Sequence, residues 1–175
     1  MSEIKEGGNK NMAERGVIVD TSSWIALSIL GLCHYLPMVF GKIYMPEIVK
    51  EEVLKGGVGS PGYEELYRWP WIKICPVSKR NCCEFLVDMD EGEADVLRLA
   101  YEKGIKTVML DERVARTCAM KMNIHVTGVL GFLVLIKEKG LIDEVRKYIS
   151  VLKQRGIWIS EDLEKEVLLL AGEEN

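Results

Sequence analysis

The chain has 175 residues, of which 48% are hydrophobic and 29% charged, and its formal net charge is −4. This length suits a single domain, and the hydrophobic share excludes a largely disordered chain. The longest apolar run, residues 129–136, is far shorter than the roughly 20 residues of a membrane-spanning helix. The acidic balance also argues against a protein that binds nucleic acid through a basic face alone.

The N-terminal residues and the cysteines bear on domain limits and compartment. Residues 1–16 are polar, mixed in charge and without the apolar core of a signal peptide, so we expect a flexible tail followed by one domain over residues 17–175. The five cysteines are odd in number, contain no C-x-x-C pair, and include the adjacent Cys82 and Cys83. This usage favours reduced thiols and a cytoplasmic location.

Short apolar runs alternate with helical patterns along the chain. The runs at residues 17–19, 107–110 and 124–126 are typical of parallel strands buried on both faces, and residues 71–74 alternate as an edge strand does. Helical patterns cover residues 22–30, 46–55, 91–102 and 112–122, and the C-terminal third continues as helices at 129–138, 142–152 and 160–170. This order predicts an α/β fold with a mostly parallel sheet and a helical C-terminal region.

Two aspartates directly follow apolar runs. Asp20 comes after the first run and Asp111 after the run at residues 107–110. The carboxyl ends of parallel strands meet at one edge of a sheet, where ligands bind in folds of this class. We therefore expect both carboxylates at that edge.

Helix geometry sorts the acids that lie on helices. At about 100° per residue, Glu52 falls about 40° from Ile48, inside the apolar arc of its helix, whereas Glu51 falls outside it. Glu93 heads the apolar stripe of the helix at residues 91–102. Asp95 lies about 200° from that stripe, so we expect it on the outer face, paired with Arg98.

Four acids are thus expected to converge: Asp20, Glu52, Glu93 and Asp111. Two carboxylates about 4 Å apart repel by roughly 4 kcal/mol at an effective dielectric constant of about 20. Mg²⁺ or Mn²⁺, which take oxygen ligands, would relieve that repulsion. Helix capping is the alternative explanation, since Asp20 and Glu93 also stand where acids stabilise helix N-termini.

The order of these motifs resembles that of the PIN-domain nucleases, which include the VapC-type toxin ribonucleases. Residues 17–22 (VIVDTS) are similar to the opening strand and first acid of the family, and residues 45–54 are similar to the helix with the second acid, at Glu52. The third acid falls on Glu93 and the fourth on Asp111, and residues 125–128 (HVTG) resemble the strand and turn that follow. Many members have Asp where this chain has Glu93. The chain also departs from the family around the fourth acid, with Met109 two residues before it and Arg113 two residues after it.

The resemblance implies a three-layer α/β/α fold and metal-assisted hydrolysis of RNA that leaves a 5′-phosphate and a 3′-hydroxyl. It implies Asp20, Glu52, Glu93 and Asp111 as catalytic residues and ligands of Mg²⁺ or Mn²⁺. Thr21 and Ser22 are candidates to hydrogen-bond a ligand carboxylate, with helix capping as their alternative. Glu112, Arg113 and Arg116 are further candidates beside the metal or the RNA, with a solvated helix face as the alternative for the arginines.

Two functional hypotheses stay open. The first is an Mg²⁺- or Mn²⁺-dependent endoribonuclease, with an RNA substrate, no membrane association, a homodimeric assembly as in many family members, and the role of a toxin restrained by an antitoxin protein. The second is a PIN-fold module for nucleic-acid binding or assembly with weak hydrolytic activity, which the altered surroundings of Asp111 favour. A metal-dependent phosphatase is a third, weaker alternative.

Overall fold

The computed structural model describes residues 16–78, 86 and 89–173. Residues 1–15, Cys82 and Cys83 lie outside the described residues. Of the predicted N-terminal tail, residues 1–16, the structure describes only Gly16, which belongs to the first strand. The elements follow in the order β1 (Gly16–Val19), α1 (Thr21–Leu30), a 3₁₀ turn (Cys33–Tyr35), α2 (Leu36–Phe40), β2 (Lys42–Pro46), α3 (Glu47–Lys55), α4 (Tyr63–Arg68), β3 (Ile72–Cys75), α5 (Glu91–Lys103), β4 (Thr107–Met109), α6 (Arg113–Lys121), β5 (His125–Thr127), α7 (Val129–Glu138), α8 (Arg146–Gln154) and α9 (Glu161–Leu170).

The five strands form one parallel sheet in the order β3-β2-β1-β4-β5. Ile18 of the central strand pairs with Tyr44 on one side and with Val108 on the other. Successive residues of a strand point to opposite faces of the sheet, and Val17, Ile18 and Val19 are all fully buried, so both faces are covered. The predicted α/β fold with a parallel sheet between helical layers is therefore confirmed.

The strand β2 is not predicted from the sequence. Its apolar residues Ile43, Tyr44 and Met45 are buried as fully as those of β1. The helix α3 begins at Glu47, one residue after the predicted start at Pro46, which is its N-cap, and it reaches its C-cap at Gly56 as the pattern predicts. The edge strand predicted at residues 71–74 is β3, shifted by one residue.

The burial of Asp95 on α5 contradicts one expectation. Asp95 was expected on an outward, solvated face, but only 3% of it is exposed. Its predicted partner is correct, since Arg98 Nη1 donates to Asp95 Oδ1 at 2.7 Å. Protein therefore covers α5 on the side away from the sheet as well, and the ion pair is what makes a buried carboxylate tolerable there.

The carboxylate of Glu173 connects helices of the C-terminal region. The α8 helix has no side-chain cap of its own at Val145. Glu173, beyond α9, accepts hydrogen bonds instead from the backbone N–H groups of Val145 (2.5 Å) and Arg146 (2.9 Å) and from Lys137 Nζ (2.6 Å). These donors hold the pKa of Glu173 below its usual value, against the effect of its partial burial. The contacts tie α7 and α8 to the segment after α9.

Within the described residues no single helix is long and apolar enough to cross a membrane. Only α1 together with the segment Cys33–Phe40 meets that criterion, and these two helical pieces are bent by 110° at their junction.

We predict that Glu173→Gln lowers the free energy of unfolding by about 1–2 kcal/mol at pH 7, since charge-assisted hydrogen bonds are lost at a site that solvent partly screens. Because the pKa of Glu173 lies below its ordinary value of 4.5, its contribution to the free energy of unfolding is complete above pH 4.5. That contribution is lost as the pH falls through the lower folded-state pKa. Chemical denaturation at pH 7 and pH 3 measures both effects. Glu164→Gln, which removes the exposed pair with Lys153, is the matched control and should change stability by less than about 0.5 kcal/mol. Equal losses in the two variants would contradict the prediction.

Candidate active site

Asp20 is the innermost acid of the site. It follows β1, the central strand, and caps α1: its carboxylate accepts from the backbone N–H of Ser23 at 2.8 Å and from Ser22 Oγ at 2.9 Å. Only 3% of Asp20 is exposed. The pKa of Asp20 is raised to about 6. Desolvation by burial is the main cause; it outweighs the hydrogen bonds from Ser23 and Ser22, and the Asp111 charge acts in the same direction as burial.

Asp111 lies at the mouth of the same site. It follows β4, which pairs with β1, and its side chain is accessible to solvent although protein surrounds it closely on the remaining sides. The backbone N–H of Val129, at the start of α7, donates to Oδ1 at 3.3 Å. Desolvation raises the pKa of Asp111, while the nearby Arg116 guanidinium acts in the opposite direction.

Ser23 connects these two aspartates and was not anticipated from the sequence. It is fully buried, its N–H donates to Asp20, and its Oγ donates to Asp111 Oδ2 at 3.5 Å. The pattern of apolar and acidic residues does not mark a serine in the first turn of α1. The one available signal is spacing, since a hydroxyl three residues after a strand-end acid is positioned to face that acid's neighbours.

Glu52 approaches the site from α3. It is half-buried while Glu51 is exposed, as the helix-face argument predicts. Thr21 Oγ1, one residue after Asp20, donates a short hydrogen bond to Glu52 Oε2. The carboxylate also lies against Gly92, in the first turn of α5. The second acid is therefore held next to the first acid and to the helix that carries the third.

Glu93 approaches from the first turn of α5. Its pKa is raised to about 7, first by desolvation and then by the negative charges of Glu112, Asp20, Asp90 and Glu52. Repulsion from four carboxylates places Glu93 within an acidic cluster. Asp90, not singled out from the sequence, caps α5 through the Gly92 N–H at 3.0 Å.

The remaining candidates lie around this cluster. Thr21 and Ser22 donate to Glu52 and Asp20, the type of contact expected of them, and Ser22 does so within the turn that Asp20 caps. Glu112 caps α6 by accepting from the Ala115 N–H at 2.9 Å. Arg113 is exposed on the first turn of α6. Arg116 turns inward instead, where its Nε donates to the Leu110 carbonyl at 3.2 Å.

Capping and convergence are both present in the structure. Asp20 caps α1 and Glu93 stands in the first turn of α5, so the capping explanation describes real contacts. Capping does not explain the raised pKa values of these two carboxyls. Desolvation is the first cause of both; the Asp111 charge adds to it at Asp20, and the charges of Glu112, Asp20, Asp90 and Glu52 add to it at Glu93. Glu93 therefore stands at a helix end and also within the field of several other carboxylates.

The donor set fits a hard divalent cation in its chemistry. Asp20, Glu52, Glu93 and Asp111 offer only oxygen ligands, which suit Mg²⁺ and Mn²⁺. Among the described residues, however, no three His, Cys, Asp or Glu side chains stand close enough together to hold a metal by themselves. Mg²⁺ commonly keeps several waters and is bound by one or two carboxylates together with substrate phosphates, so the set needs such additional ligands.

The fold and this cluster define a three-layer α/β protein with an acidic site at the carboxyl edge of a parallel sheet. Among known families, the PIN domain matches residues 16–173. The chain therefore belongs to the PIN-domain family, whose members are generally nucleases and usually use divalent metals. No curated protein matches the chain.

We predict that the metal-free protein loses stability as the pH rises through the range of these carboxyls. The folded-state pKa values of Asp20 (about 6) and Glu93 (about 7) exceed their ordinary values of 3.8 and 4.5. Each contributes stability below its ordinary value, and that contribution is lost as the pH rises through the folded-state pKa. In EDTA, Asp20→Asn and Glu93→Gln should therefore raise Tm at pH 8 relative to the wild type, and less so at pH 4.5.

The measurement is a series of thermal melts from pH 4 to pH 8, analysed as differences from the wild type so that other titrating groups cancel. Glu51→Gln, on the exposed face of α3, is the control and should leave the pH profile unchanged. Identical profiles of Tm against pH for Asp20→Asn and the wild type would show that the Asp20 carboxyl does not destabilise the folded protein at high pH.

Proposed function

We propose that this protein is a metal-dependent endoribonuclease that hydrolyses RNA phosphodiester bonds. The observation that carries the proposal is the convergence of carboxylates from β1, α3, α5 and the end of β4 at one edge of the sheet, with raised pKa values at Asp20, Glu93 and Asp111. Membership of the PIN-domain family, whose members are generally nucleases, supports a hydrolase. RNA as the substrate, and each of these residues as a catalytic group, belong to the proposal.

Asp20 and Asp111 are the principal proposed ligands, joined by Glu93, with Glu52 acting directly or through water. When bound at this site, Mg²⁺ or Mn²⁺ would polarise a phosphoryl oxygen, lower the pKa of a bound water and offset the charge of the leaving oxygen.

The chain's own side chains keep these ligands oriented. Ser22 and the Ser23 N–H fix the Asp20 carboxylate, and Ser23 Oγ and the Val129 N–H hold Asp111. Thr21 holds Glu52 close to Asp20. Such supporting hydrogen bonds reduce the reorganisation that ligand binding requires. Arg116, anchored by Leu110 beside Asp111, is the arginine best placed to meet a phosphate, while Arg113 extends into solvent.

The biological setting extends this proposal. A toxin restrained by an antitoxin protein, a homodimer and a cytoplasmic location follow from the family resemblance and from the cysteine pattern. The described cysteines Cys33, Cys75 and Cys118 are buried and are not joined in disulfides, which suits a reducing compartment.

A second candidate function is a nucleic-acid-binding or assembly module with weak hydrolysis. Two observations favour it. The described acids do not form a complete metal-binding group by themselves. The Arg116 guanidinium also lies beside Asp111, where its positive charge competes with a bound cation.

We predict that the wild type cleaves single-stranded RNA in the presence of Mg²⁺ or Mn²⁺ and that EDTA abolishes the activity. Asp20→Asn and Asp111→Asn should each reduce the cleavage rate at least about 100-fold, because ligands worth several kcal/mol of transition-state stabilisation are lost. Gel analysis of end-labelled RNA measures the rates and the chemistry of the product ends. Glu51→Gln is the control and should cleave like the wild type. A wild type that is inert on every RNA but binds RNA would instead establish the binding module.

We also predict that Mn²⁺ raises the Tm of the wild type, because a ligand that binds only the folded state stabilises it. A concentration of 100 times the Kd should contribute about 2.7 kcal/mol, or roughly 5–11 °C for a chain of this size. The rise should vanish in Asp20→Asn and persist in Glu51→Gln. An equal rise in Asp20→Asn would remove that residue from the metal site.

A further inference from the structure

Two glycines border the acidic cluster for a reason other than backbone freedom. Gly92 is in the first turn of α5, and Gly128 is the N-cap of α7 with φ −103° and ψ 177°. Neither is among the glycines with positive φ, in contrast to Gly31 and Gly104 at helix C-caps. Alanine could adopt both backbone conformations without strain. Their lack of a side chain therefore needs another explanation.

The space beside Gly128 is filled by the fourth acid. A Cβ added at Gly128 would overlap Asp111 Oδ1 and lie 2.9 Å from Arg116 Nη2. The carboxylate at this place also meets the Val129 N–H and Ser23 Oγ. Asp111 therefore reaches its position only because residue 128 has no Cβ.

The space beside Gly92 is filled by the second acid. A Cβ there would lie 2.8 Å and 2.9 Å from the two carboxylate oxygens of Glu52. Glycine in a helix costs about 0.5–1 kcal/mol relative to alanine, so it is a poor choice for the first turn of α5 on local grounds. By contrast, a Cβ at Gly104 would meet nothing within 4 Å, and there the positive φ explains the glycine.

We infer that Gly92 and Gly128 are positioning residues of the acidic site: their missing side chains provide the spaces in which the Glu52 and Asp111 carboxylates lie. The inference deepens the proposed nuclease function and rests on it only for the consequence for metal binding. The placement of the carboxylates is a statement about the protein alone.

The two glycines should differ in importance. Asp111 has a short side chain with two rotatable bonds, so an added methyl group at residue 128 would turn its carboxylate away from Val129 and Ser23. Glu52 has one more methylene, and its carboxylate can retreat from residue 92 by rotation. Gly128→Ala should therefore disturb the site more than Gly92→Ala.

The first experiment is a pair of double-mutant cycles on metal-free protein, read as Tm in EDTA. Gly128→Ala should lower Tm by about 3–8 °C in the wild type, the range of an overpacked site, and by much less in an Asp111→Ala background, where the clashing oxygens are gone. Gly92→Ala should show a smaller loss that Glu52→Ala likewise removes. Gly131→Ala, at an exposed position of α7 with only Thr127 Oγ1 near its added Cβ (3.2 Å), is the control and should show no such coupling. Additive losses in both cycles would overturn the inference.

The second experiment measures the Mn²⁺ concentration that gives half of the Tm rise. It should increase about tenfold or more in Gly128→Ala and about threefold in Gly92→Ala, the scale seen when support of a metal ligand is lost, and remain unchanged in Gly131→Ala. Shortening the second acid in the Gly92→Ala, Glu52→Asp double variant should restore part of that loss. An unchanged midpoint in Gly128→Ala would overturn the role in metal binding. A wild type without any Mn²⁺ response would instead count against the proposed function, while the metal-free cycles still decide where the carboxylates lie.

Discussion

Desolvation and mutual repulsion of carboxylates that the fold brings together are the constraint on which this site depends. Asp20 and Asp111 follow adjacent strands, so their backbones are fixed side by side by the ladder between β1 and β4. The protein offsets part of the repulsion with donors it already has: the Ser23 N–H, the Val129 N–H at the start of α7, and the Arg116 guanidinium. The pKa values of Asp20 and Glu93 still lie above their ordinary values, first because burial desolvates these carboxyls and then because other carboxylates are near. A site of this kind is held ready for positive charge, at a cost in stability.

The same constraint explains how the acids are distributed over the fold. Each carboxylate is placed by a different element, and each element is stable for reasons unrelated to the site: buried apolar strands, a helix between Pro46 and Gly56, and a helix capped by Asp90. Capping and proposed ligand placement share a residue, since Asp20 also caps α1. Because of this double use, neither role can be argued from one residue alone.

The sequence predicts those parts of the fold that short-range patterns determine. Continuous apolar runs before Asp20 and Asp111 identify two strands, and helical periodicity selects Glu52 over Glu51. β2 escapes detection because its apolar residues lead directly into Pro46, whose role as a helix start dominates the pattern. The six-residue α4 is too short to show a period.

Features that depend on tertiary contacts lie beyond the sequence pattern. Asp95 is buried because other segments cover a helix face that its own periodicity marks as outward. Ser23, Gly92 and Gly128 acquire their significance only once distant carboxylates are placed against them. The candidate acids could be selected from the sequence, but the small residues that accommodate them could not.

The acidic site has a rigid half and an adjustable half. Asp20 and Asp111 follow the paired strands β1 and β4. A shift of one residue in the pairing of these strands would turn their side chains to the opposite face of the sheet. Glu52 and Glu93 are carried by helices, which can slide or turn slightly over the sheet without breaking a strand ladder. Evolutionary change in side-chain length is therefore easier to absorb at the helical acids. The third acid, Glu93, is the place where such drift would be expected.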